Sequence, residues 1–363
     1  MTRPTHLTID TQALKNNLRV ARALAPASAV VAVVKADAYG HGAQALVPIL
    51  DADVDMFAVS CCEEALGVRR SGITKPVVLL EGCFEPTEWQ LAIDNQFEPV
   101  IHNHNQLDTL RQAEHCSALN VWLKIDTGMH RLGFDMDEAV EVYQQLDALP
   151  HIGNIILMTH FASADDADPS FTHMQLARFE QIVQDLLERG QEPALSMANS
   201  ACLLNWPATH KQFNRPGLML YGLSPFEFSH PEARQLTPIM TLSSQVIAIR
   251  EIAAGEAVGY GNTWRAQRPS VIATIAVGYG DGYPRSARSG TPVLINGQRA
   301  SLVGRVSMDM ITVDVTDIGR VNIGDPCILW GADLSANEVA SWAGTIGYEL
   351  ITRLPPRVPR TLV

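Results

Sequence analysis

The sequence predicts a closed barrel of eight parallel β-strands joined by helices, followed by a smaller, mostly antiparallel β domain. First, eight short apolar runs recur between residues 29 and 215, and stretches with helical patterning separate them. Second, beyond about residue 237 strand-like runs follow one another with turns but no helix between them. Third, a chain of 363 residues is longer than most single domains, which favours one large domain and one small domain.

The first apolar run, 29–34, contains only alanine and valine and ends at Lys35. A short run of this kind predicts a strand that is buried on both faces of a parallel sheet. The carboxyl ends of such strands are where ligands bind. An amine held there against apolar walls has a lowered pKa and attacks an aldehyde more readily. This run alone leaves open a lysine that simply reaches from a strand end into solvent.

Seven further runs complete the predicted barrel: 56–60, 76–82, 97–103, 120–126, 154–161, 194–200 and 212–215. Helical patterning lies between them, for example in 113–119 and 175–190. Strands joined by helices pair in parallel, and eight such units is the number that closes a barrel. A doubly wound open sheet fits the same alternation, although it usually needs only about five or six strands.

The second domain is predicted from six runs: 241–249, 271–279, 291–295, 300–304, 311–315 and 327–331. Asn296 and Gly297 form the pair typical of a type I′ hairpin turn. One helix follows, for which Ser335 and Glu338 predict a capping box and Gly344 predicts the end. We expect the barrel at 10–236 and the β domain at 237–363, to which residues 1–9 would add a strand.

Composition excludes several classes of partner. The net charge is −12 and no block of lysine or arginine is present, so nucleic acid is not an expected partner. No apolar run approaches the roughly 20 residues that span a bilayer, and the N-terminus has no apolar targeting segment, so no membrane association is expected. The cysteines lack CxxC spacing, which argues against a metal site or a disulfide framework and predicts a cytoplasmic protein. They are Cys61, Cys62, Cys83, Cys116, Cys202 and Cys327.

Polar residues occur at five of the predicted strand ends, on the face where barrel enzymes place their active sites. They are Lys35, Tyr39, Lys124, Asp126, His160, Asn199, Ser200 and Arg215. After the eighth run, Pro216 and Gly217 are placed to open a helix whose N–H groups bind phosphate. An ordinary Pro-Gly turn is the alternative. Dinucleotide, P-loop, zinc-protease and hydrolase signatures are absent from the sequence.

Nine motifs, in order and spread over nearly the whole chain, make the sequence resemble the alanine racemase family. They are VVKADAYGHG, KIDTGMHRLGF, MTHFASAD, MANSA, RPGLMLYG, VGYGNTW, VGYGDGYPR, GRVSMDM and TIGYE. These enzymes use pyridoxal 5′-phosphate and consist of a barrel followed by a β domain. The departures are mild, because His130 replaces a common glycine, Gly280 a common alanine and Leu218 the usual isoleucine. None of them removes a reacting group.

The resemblance implies that Lys35 carries pyridoxal 5′-phosphate covalently. It further implies a set of residues around the cofactor, namely Tyr39, Asn199, Ser200, Arg215, Gly217, Leu218 and Tyr348. Tyr39, Ser200, Gly217, Leu218 and Tyr348 would hold the phosphate. Arg215 would lie against the pyridine nitrogen and keep it unprotonated, since a guanidinium does not give up its proton.

The same resemblance implies interconversion of L-alanine and D-alanine by two bases on opposite faces of the substrate. Lys35 would act on the D-substrate, and Tyr260 of a partner subunit, linked through His160 to Arg215, on the L-substrate. A homodimer with shared sites is therefore implied. Arg131 and the partner subunit's Met308 would hold the substrate carboxylate.

Three further residues have weaker implied roles. Lys124 matches a lysine that is often carbamylated in relatives, and the carbamate would orient the neighbouring arginine. Tyr279 and Tyr283 would line the entrance to the site.

Three rival functions are weighed against this one. A non-catalytic pyridoxal-phosphate-binding protein shares the first-strand lysine but lacks the β domain. A decarboxylase on the same scaffold places an acidic residue where Arg215 stands. A racemase of broader specificity is often secreted with disulfides. The sequence leaves open whether the enzyme is biosynthetic or catabolic.

Overall fold

The computed structural model describes residues 3–113 and 118–363. Strand β1 (His6–Ile9) and helix α1 (Thr11–Leu24) come first and precede a closed barrel. The barrel strands are β2 (Ala29–Val33), β3 (Met56–Val59), β4 (Val77–Leu79), β5 (Phe97–Ile101), β6 (Leu119–Lys124), β7 (Ile152–Met158), β8 (Ala194–Ser196) and β9 (Phe213–Asn214). The helical segments between and after them are α2 (Lys35–Tyr39), α3 (Ala43–Leu50), α4 (Cys62–Arg70), α5 (Pro86–Asp94), α6 (His104–Gln112), α7 (Ala139–Asp147), α8 (Ser170–Leu187) and α9 (Ser200–Asn205).

All eight predicted barrel strands are confirmed, and every pair of neighbours in the barrel is parallel. Strand β9 pairs with β2, with Phe213 opposite Ala29 and Asn214 opposite Val30. This last pairing closes the sheet and rules out the doubly wound alternative. Because the strands are parallel, their carboxyl ends meet on one rim.

The second domain contains the strands β10 (Met240–Ile252), β11 (Ala257–Val258), β12 (Trp264–Arg265), β13 (Ser270–Ile275), β14 (Pro292–Ile295), β15 (Gln298–Leu302), β16 (Ile311–Asp314), β17 (Pro326–Trp330) and β18 (Arg360–Leu362). Its main sheet has eight strands, which include β1 from the N-terminus, in the order β13-β16-β15-β14-β17-β10-β1-β18. Strands β11 and β12 form a separate hairpin. All pairs are antiparallel except β1 with β18. The first and last strands of the chain therefore lie side by side. The division at residue 236 stays a prediction, and it falls between the barrel and β10.

Local turn chemistry explains the hairpin and the helix ends. Asn296 and Gly297 have φ values of +50° and +76° and connect β14 to β15, which confirms the predicted hairpin. Ser335 caps helix α10 (Ala336–Ala343), and Gly344 ends it with φ +70°. The prediction of a capping box is wrong, because the Glu338 side chain forms an ion pair with Arg299 of β15 instead of accepting the backbone N–H of Ser335. A second helix, α11 (Gly347–Thr352), was not predicted.

One continuous cluster of buried side chains runs from the barrel into the second domain. The helix at 175–190 is confirmed by α8, whereas the helical pattern at 113–119 is wrong where it is described. Helix α6 ends at Gln112 and Leu119 already belongs to β6. Residues 114–117, including Cys116, lie outside the described residues, and the other five cysteines are free thiols. No helix among the described residues has the length and apolar character needed to cross a membrane.

Candidate active site

A cavity of about 660 Å³ opens at the carboxyl ends of the barrel strands. Of the thirteen residues that the resemblance assigns to catalysis, cofactor, substrate or the carbamate, eleven line it: Lys35, Tyr39, Lys124, Arg131, His160, Asn199, Ser200, Arg215, Gly217, Leu218 and Tyr348. The other two, Tyr260 and Met308, lie elsewhere on the second domain. Four of the lining side chains are lysine or arginine. The cavity therefore suits a small anionic ligand.

The segment after β2 has an unusual backbone. Four successive residues of α2, Ala36 to Tyr39, have φ between +51° and +55°, so this short helix is left-handed. None of the four is glycine, and each L-residue in this region costs about 1–2 kcal/mol. Such strain persists only where surrounding contacts enforce it. The left-handed turn places Lys35 and Tyr39 on the same cavity.

Glu64 fixes the start of this left-handed turn. Its Oε1 accepts the Ala36 N–H at 2.8 Å and its Oε2 accepts the Ser60 N–H at 2.9 Å. Burial and then the charge of Arg131 lower the pKa of Lys35, while Glu81 and Glu64 oppose them. A lowered pKa gives Lys35 a larger neutral fraction, as an amine needs in order to react with a carbonyl.

The loops after β8 and β9 form a small cradle beside the left-handed turn. Ser200 Oγ accepts N–H groups from Gly217 at 2.9 Å and Met219 at 3.3 Å, which leaves its own proton free to be donated. A Cβ at Gly217 would lie 2.6 Å from Tyr39 Oη, so only glycine leaves room there. The cradle combines hydroxyl donors with close approach of the backbone, which is what a bound phosphate requires.

The short helix at this cradle begins later than predicted. A 3-10 turn spans Leu218–Tyr221, with Gly217 immediately before it. Pro216 is therefore not its first residue, and its carbonyl accepts the Val33 N–H at 3.0 Å. This bond ties the cradle to the first barrel strand.

Aromatic packing holds Tyr39 in place. Its ring stacks on Tyr221 at a centroid distance of 4.7 Å, and Tyr221 stacks on His41 at 4.6 Å. Burial raises the pKa of Tyr39 to about 12 and that of Tyr348 as well, so both phenols remain proton donors at neutral pH. The Tyr348 ring is 6.1 Å from that of Tyr39. Two phenol donors therefore face the cavity from different domains.

Arg215 is buried and firmly oriented. It donates to Ser196 Oγ, to the Thr159 carbonyl at 2.7 Å and to the Met197 carbonyl at 3.3 Å. Burial lowers its pKa to about 10, so the guanidinium stays charged at neutral pH. Its Nε–H has no partner in the described part of the chain and remains available to a ligand.

His160 and Lys124 share this cationic environment. Burial, followed by the charges of Arg215 and Lys124, lowers the pKa of His160 well below its usual range. Burial, followed by Arg215 and Arg131, lowers the pKa of Lys124 to about 7. At neutral pH His160 is therefore neutral, and about half of Lys124 carries no charge.

Asp126 lies at the same rim but does not line the cavity. Its Oδ1 accepts N–H groups of Gly128 at 2.8 Å and His130 at 3.1 Å, so it shapes the loop that carries Arg131. His130 has φ +54°, a conformation that favours glycine. Its ring nitrogen lies 3.2 Å from Asp126 Oδ2. The contact with the Asp126 carboxylate thus accompanies a backbone conformation that glycine adopts at lower energetic cost than histidine.

Tyr260 and Met308 are exposed, at 71% and 54%. Tyr260 begins a turn between β11 and β12, and Met308 precedes β16. One subunit therefore does not bring them to the cavity. Tyr279 is also exposed, but Tyr283 is fully buried against Trp330 in the second domain, so its predicted position at an entrance is wrong.

Sequence reasoning missed several residues at the site. Glu81 and Asp165 line the cavity, and Glu64 bonds the left-handed turn. Glu81 is the last residue but one of the third predicted run, so its position near a strand end was a usable signal. Glu64 lies inside an ordinary helix pattern, and nothing in the sequence marks it.

Models of the alanine racemase N-terminal domain and C-terminal domain match residues 9–225 and 239–362. A biosynthetic alanine racemase of Pseudomonas aeruginosa is 46% identical over 358 residues, and a catabolic one of Pseudomonas putida is 47% identical over 361 residues. Each comparison covers 99% of both chains. The crystal structure of the biosynthetic enzyme from Pseudomonas aeruginosa superposes with a TM-score of 0.95 at 45% identity, covering 100% of both chains.

Proposed function

This chain belongs to the alanine racemase family, and we propose that it interconverts L-alanine and D-alanine with pyridoxal 5′-phosphate as cofactor. One observation carries the proposal. The amine of Lys35 and the cradle of Ser200, Gly217 and Tyr39 line the same cavity. An aldehyde-reactive amine and a phosphate cradle are the two ends that this cofactor needs.

The residues present fit the cofactor. Tyr39, Ser200 and Tyr348 supply hydroxyl donors and Gly217 supplies the space for its phosphate, next to the Leu218 N–H. Arg215 is assigned to the pyridine nitrogen, with Asn199 at the cavity wall. When bound, the cofactor withdraws electrons from the substrate Cα and so makes its hydrogen acidic.

The charge of Arg215 sets the type of reaction. Because the guanidinium remains protonated, it would donate to the pyridine nitrogen of the bound cofactor and disfavour a proton on that nitrogen. A neutral ring is the weaker electron sink, which favours rapid return of the proton over transamination. An acidic residue at this position would have the opposite effect, so a decarboxylase is disfavoured.

Racemisation needs proton transfer on both faces of Cα, and one base does not reach both. Lys35, whose pKa is lowered, takes the proton from the D-substrate. Tyr260 of a second copy of the chain takes it from the L-substrate. Neutral His160 is able to accept a hydrogen bond from that phenol, because burial and then the charge of Arg215 lower its pKa. Arg131 and the backbone N–H of the partner subunit's Met308 bind the substrate carboxylate.

A homodimer with shared sites follows from the position of the second base. Tyr260 and Met308 lie with Tyr279 and Met310 among the exposed large apolar side chains of the second domain. Exposed side chains of this kind are typical of interfaces.

Lys124 is proposed to add carbon dioxide. Its neutral amine attacks the carbon of CO₂, and loss of one proton leaves a carbamate anion. Arg131 and Arg215 both act on its pKa, so they are close enough to stabilise the negative charge. The anion would hold Arg131 towards the substrate.

The test is racemisation of a panel of single-enantiomer amino acids by the purified protein. We expect activity on alanine and much less on serine or larger side chains. Broad activity would favour the broader-specificity racemase, and no activity the non-catalytic binding protein. Borohydride reduction followed by peptide mapping should place the cofactor on Lys35; a label on another lysine would refute that assignment. The cytoplasmic location stays a prediction.

A further inference from the structure

The left-handed turn, Ala36 to Tyr39, needs contacts that enforce its conformation. Within the segment, Gly40 N–H donates to the Ala36 carbonyl at 2.9 Å and Gly42 N–H to the Asp37 carbonyl at 2.9 Å. The Ala43 N–H donates to Asp37 Oδ1 at 2.8 Å. These bonds are local, and a segment this short is not stable on its own, so they do not by themselves explain why it stays left-handed.

The second domain supplies contacts that are not local. Arg360, the first residue of β18, donates from Nε to the Gly40 carbonyl at 3.0 Å. Its Nη2 donates to the Leu354 carbonyl at 3.3 Å and lies 3.7 Å from Asp37 Oδ2. The guanidinium therefore bridges the end of the left-handed turn and the C-terminal segment of the chain.

The backbone of α11 also contacts the C-terminal end of the left-handed turn, at Gly40. A Cβ at Gly40 would lie 2.0 Å from the Ile351 carbonyl oxygen, so the turn and α11 are in direct backbone contact. Gly42 lies next to the Arg360 side chain at ordinary contact distance, since a Cβ at Gly42 would lie 3.6 Å from Arg360 Cδ. The side chain of Arg360 is only 22% exposed. It is thus held between the two domains rather than extended into solvent.

We propose that Arg360 is a positioning residue for the cofactor, because its contacts with Gly40 and Asp37 hold the left-handed turn that sets Lys35 and Tyr39 relative to each other. Arg360 itself does not line the cavity. The inference rests on the proposed cofactor site. Strand β18, which carries Arg360, would thus determine how tightly the barrel retains the cofactor.

The test measures cofactor release from the reconstituted holoenzyme. In Arg360→Met the guanidinium is lost, and we expect release roughly tenfold faster or more, as for loss of one charge-assisted hydrogen bond. Arg360→Lys keeps the charge near Asp37 but not the planar donor set, so an intermediate rate is expected. The matched control is Arg353→Met, which removes an exposed arginine paired with Glu349 on the same C-terminal segment and should leave the rate unchanged.

A rescue experiment separates positioning from general loss of stability. Ala36→Gly removes the penalty for left-handed backbone at one residue, and in the Arg360→Met background it should slow release again by roughly fivefold. Ala45→Gly, in the right-handed helix α3, should not. Circular dichroism and thermal unfolding of each apoprotein verify that the variants are folded.

The outcomes are distinct. If wild-type protein is not labelled at Lys35 by borohydride, the proposed function fails and this inference with it. If wild type is labelled and Arg360→Met and Arg360→Lys both release cofactor at the wild-type rate, only the inference is overturned. Equal rescue by Ala36→Gly and Ala45→Gly would also overturn it.

Discussion

Lys124 makes the stability of the apoprotein depend on pH, and the variant Lys124→Met should remove that dependence. Its pKa is about 7 in the folded protein, against 10.5 for an unperturbed lysine. Because the folded pKa is the lower one, the unfolded chain binds more protons between these values, and stability rises with pH across that window. The penalty is about 4 kcal/mol at pH 7 and about 2 kcal/mol at pH 9.

The difference of about 2 kcal/mol converts into a thermal shift. For 363 residues the entropy of unfolding is roughly 0.8 kcal/mol/K, so the apparent midpoint should rise by about 3 °C more in wild type than in Lys124→Met from pH 7 to pH 9. The assay is thermal unfolding of both apoproteins in carbon-dioxide-free buffer at one scan rate. Lys15→Met, on the outer helix α1, is the matched control.

Equal pH dependence in wild type and Lys124→Met would refute the argument that Lys124 is desolvated. Adding bicarbonate to the buffer is a separate test of whether Lys124 forms a carbamate. Wild-type protein should then show a carbamate carbon signal with ¹³C-labelled bicarbonate, and Lys124→Met should not.

Three other predictions concern the cradle, the turn and the dimer. Gly217→Ala places a Cβ against Tyr39 Oη and should weaken cofactor binding by about tenfold or more, measured by titration of the apoprotein. Burial lowers the pKa of His41 to about 4, so stability should fall as pH drops from about 6.5 to 4 by up to about 3 kcal/mol, and less in His41→Asn. Mixing inactive Lys35→Ala and Tyr260→Phe subunits should restore activity, because one of the two mixed sites retains both bases.

Each of these has a control. Gly319→Ala puts its Cβ at ordinary contact distance, 3.6 Å from the nearest side chain, and should bind cofactor normally. If the loss of stability at acidic pH is the same in His41→Asn as in wild type, His41 is not its cause. Absence of recovered activity, with subunit exchange demonstrated, would argue against shared sites.

The barrel was predictable because its signal is local and physical. Runs such as 29–34 are apolar on both faces, and their number favours a closed barrel over an open sheet. Asn296 and Gly297 likewise specify their turn by their own backbone preferences. The helix prediction fails at Leu119, which belongs to a barrel strand, so its apolar character reflects tertiary burial rather than a helix face.

The strained part of the site was not predictable from the residues that form it. Alanine disfavours left-handed backbone, yet Ala36 and Ala38 adopt it because Glu64 and Arg360 contact the turn from distant points in the chain. Tyr283 shows the same limit, since only the packed second domain reveals that it is buried. The residues proposed to carry the chemistry could be named from motifs, whereas the contacts that position them are tertiary.

The central claim is that Lys35 and Tyr260 each serve one face of the substrate. The direct measurement is exchange of the alanine α-hydrogen in deuterated water, started separately from L-alanine and D-alanine, with wild type and Tyr260→Phe. The variant should largely lose exchange from L-alanine and keep exchange from D-alanine. Equal loss from both enantiomers would contradict the account.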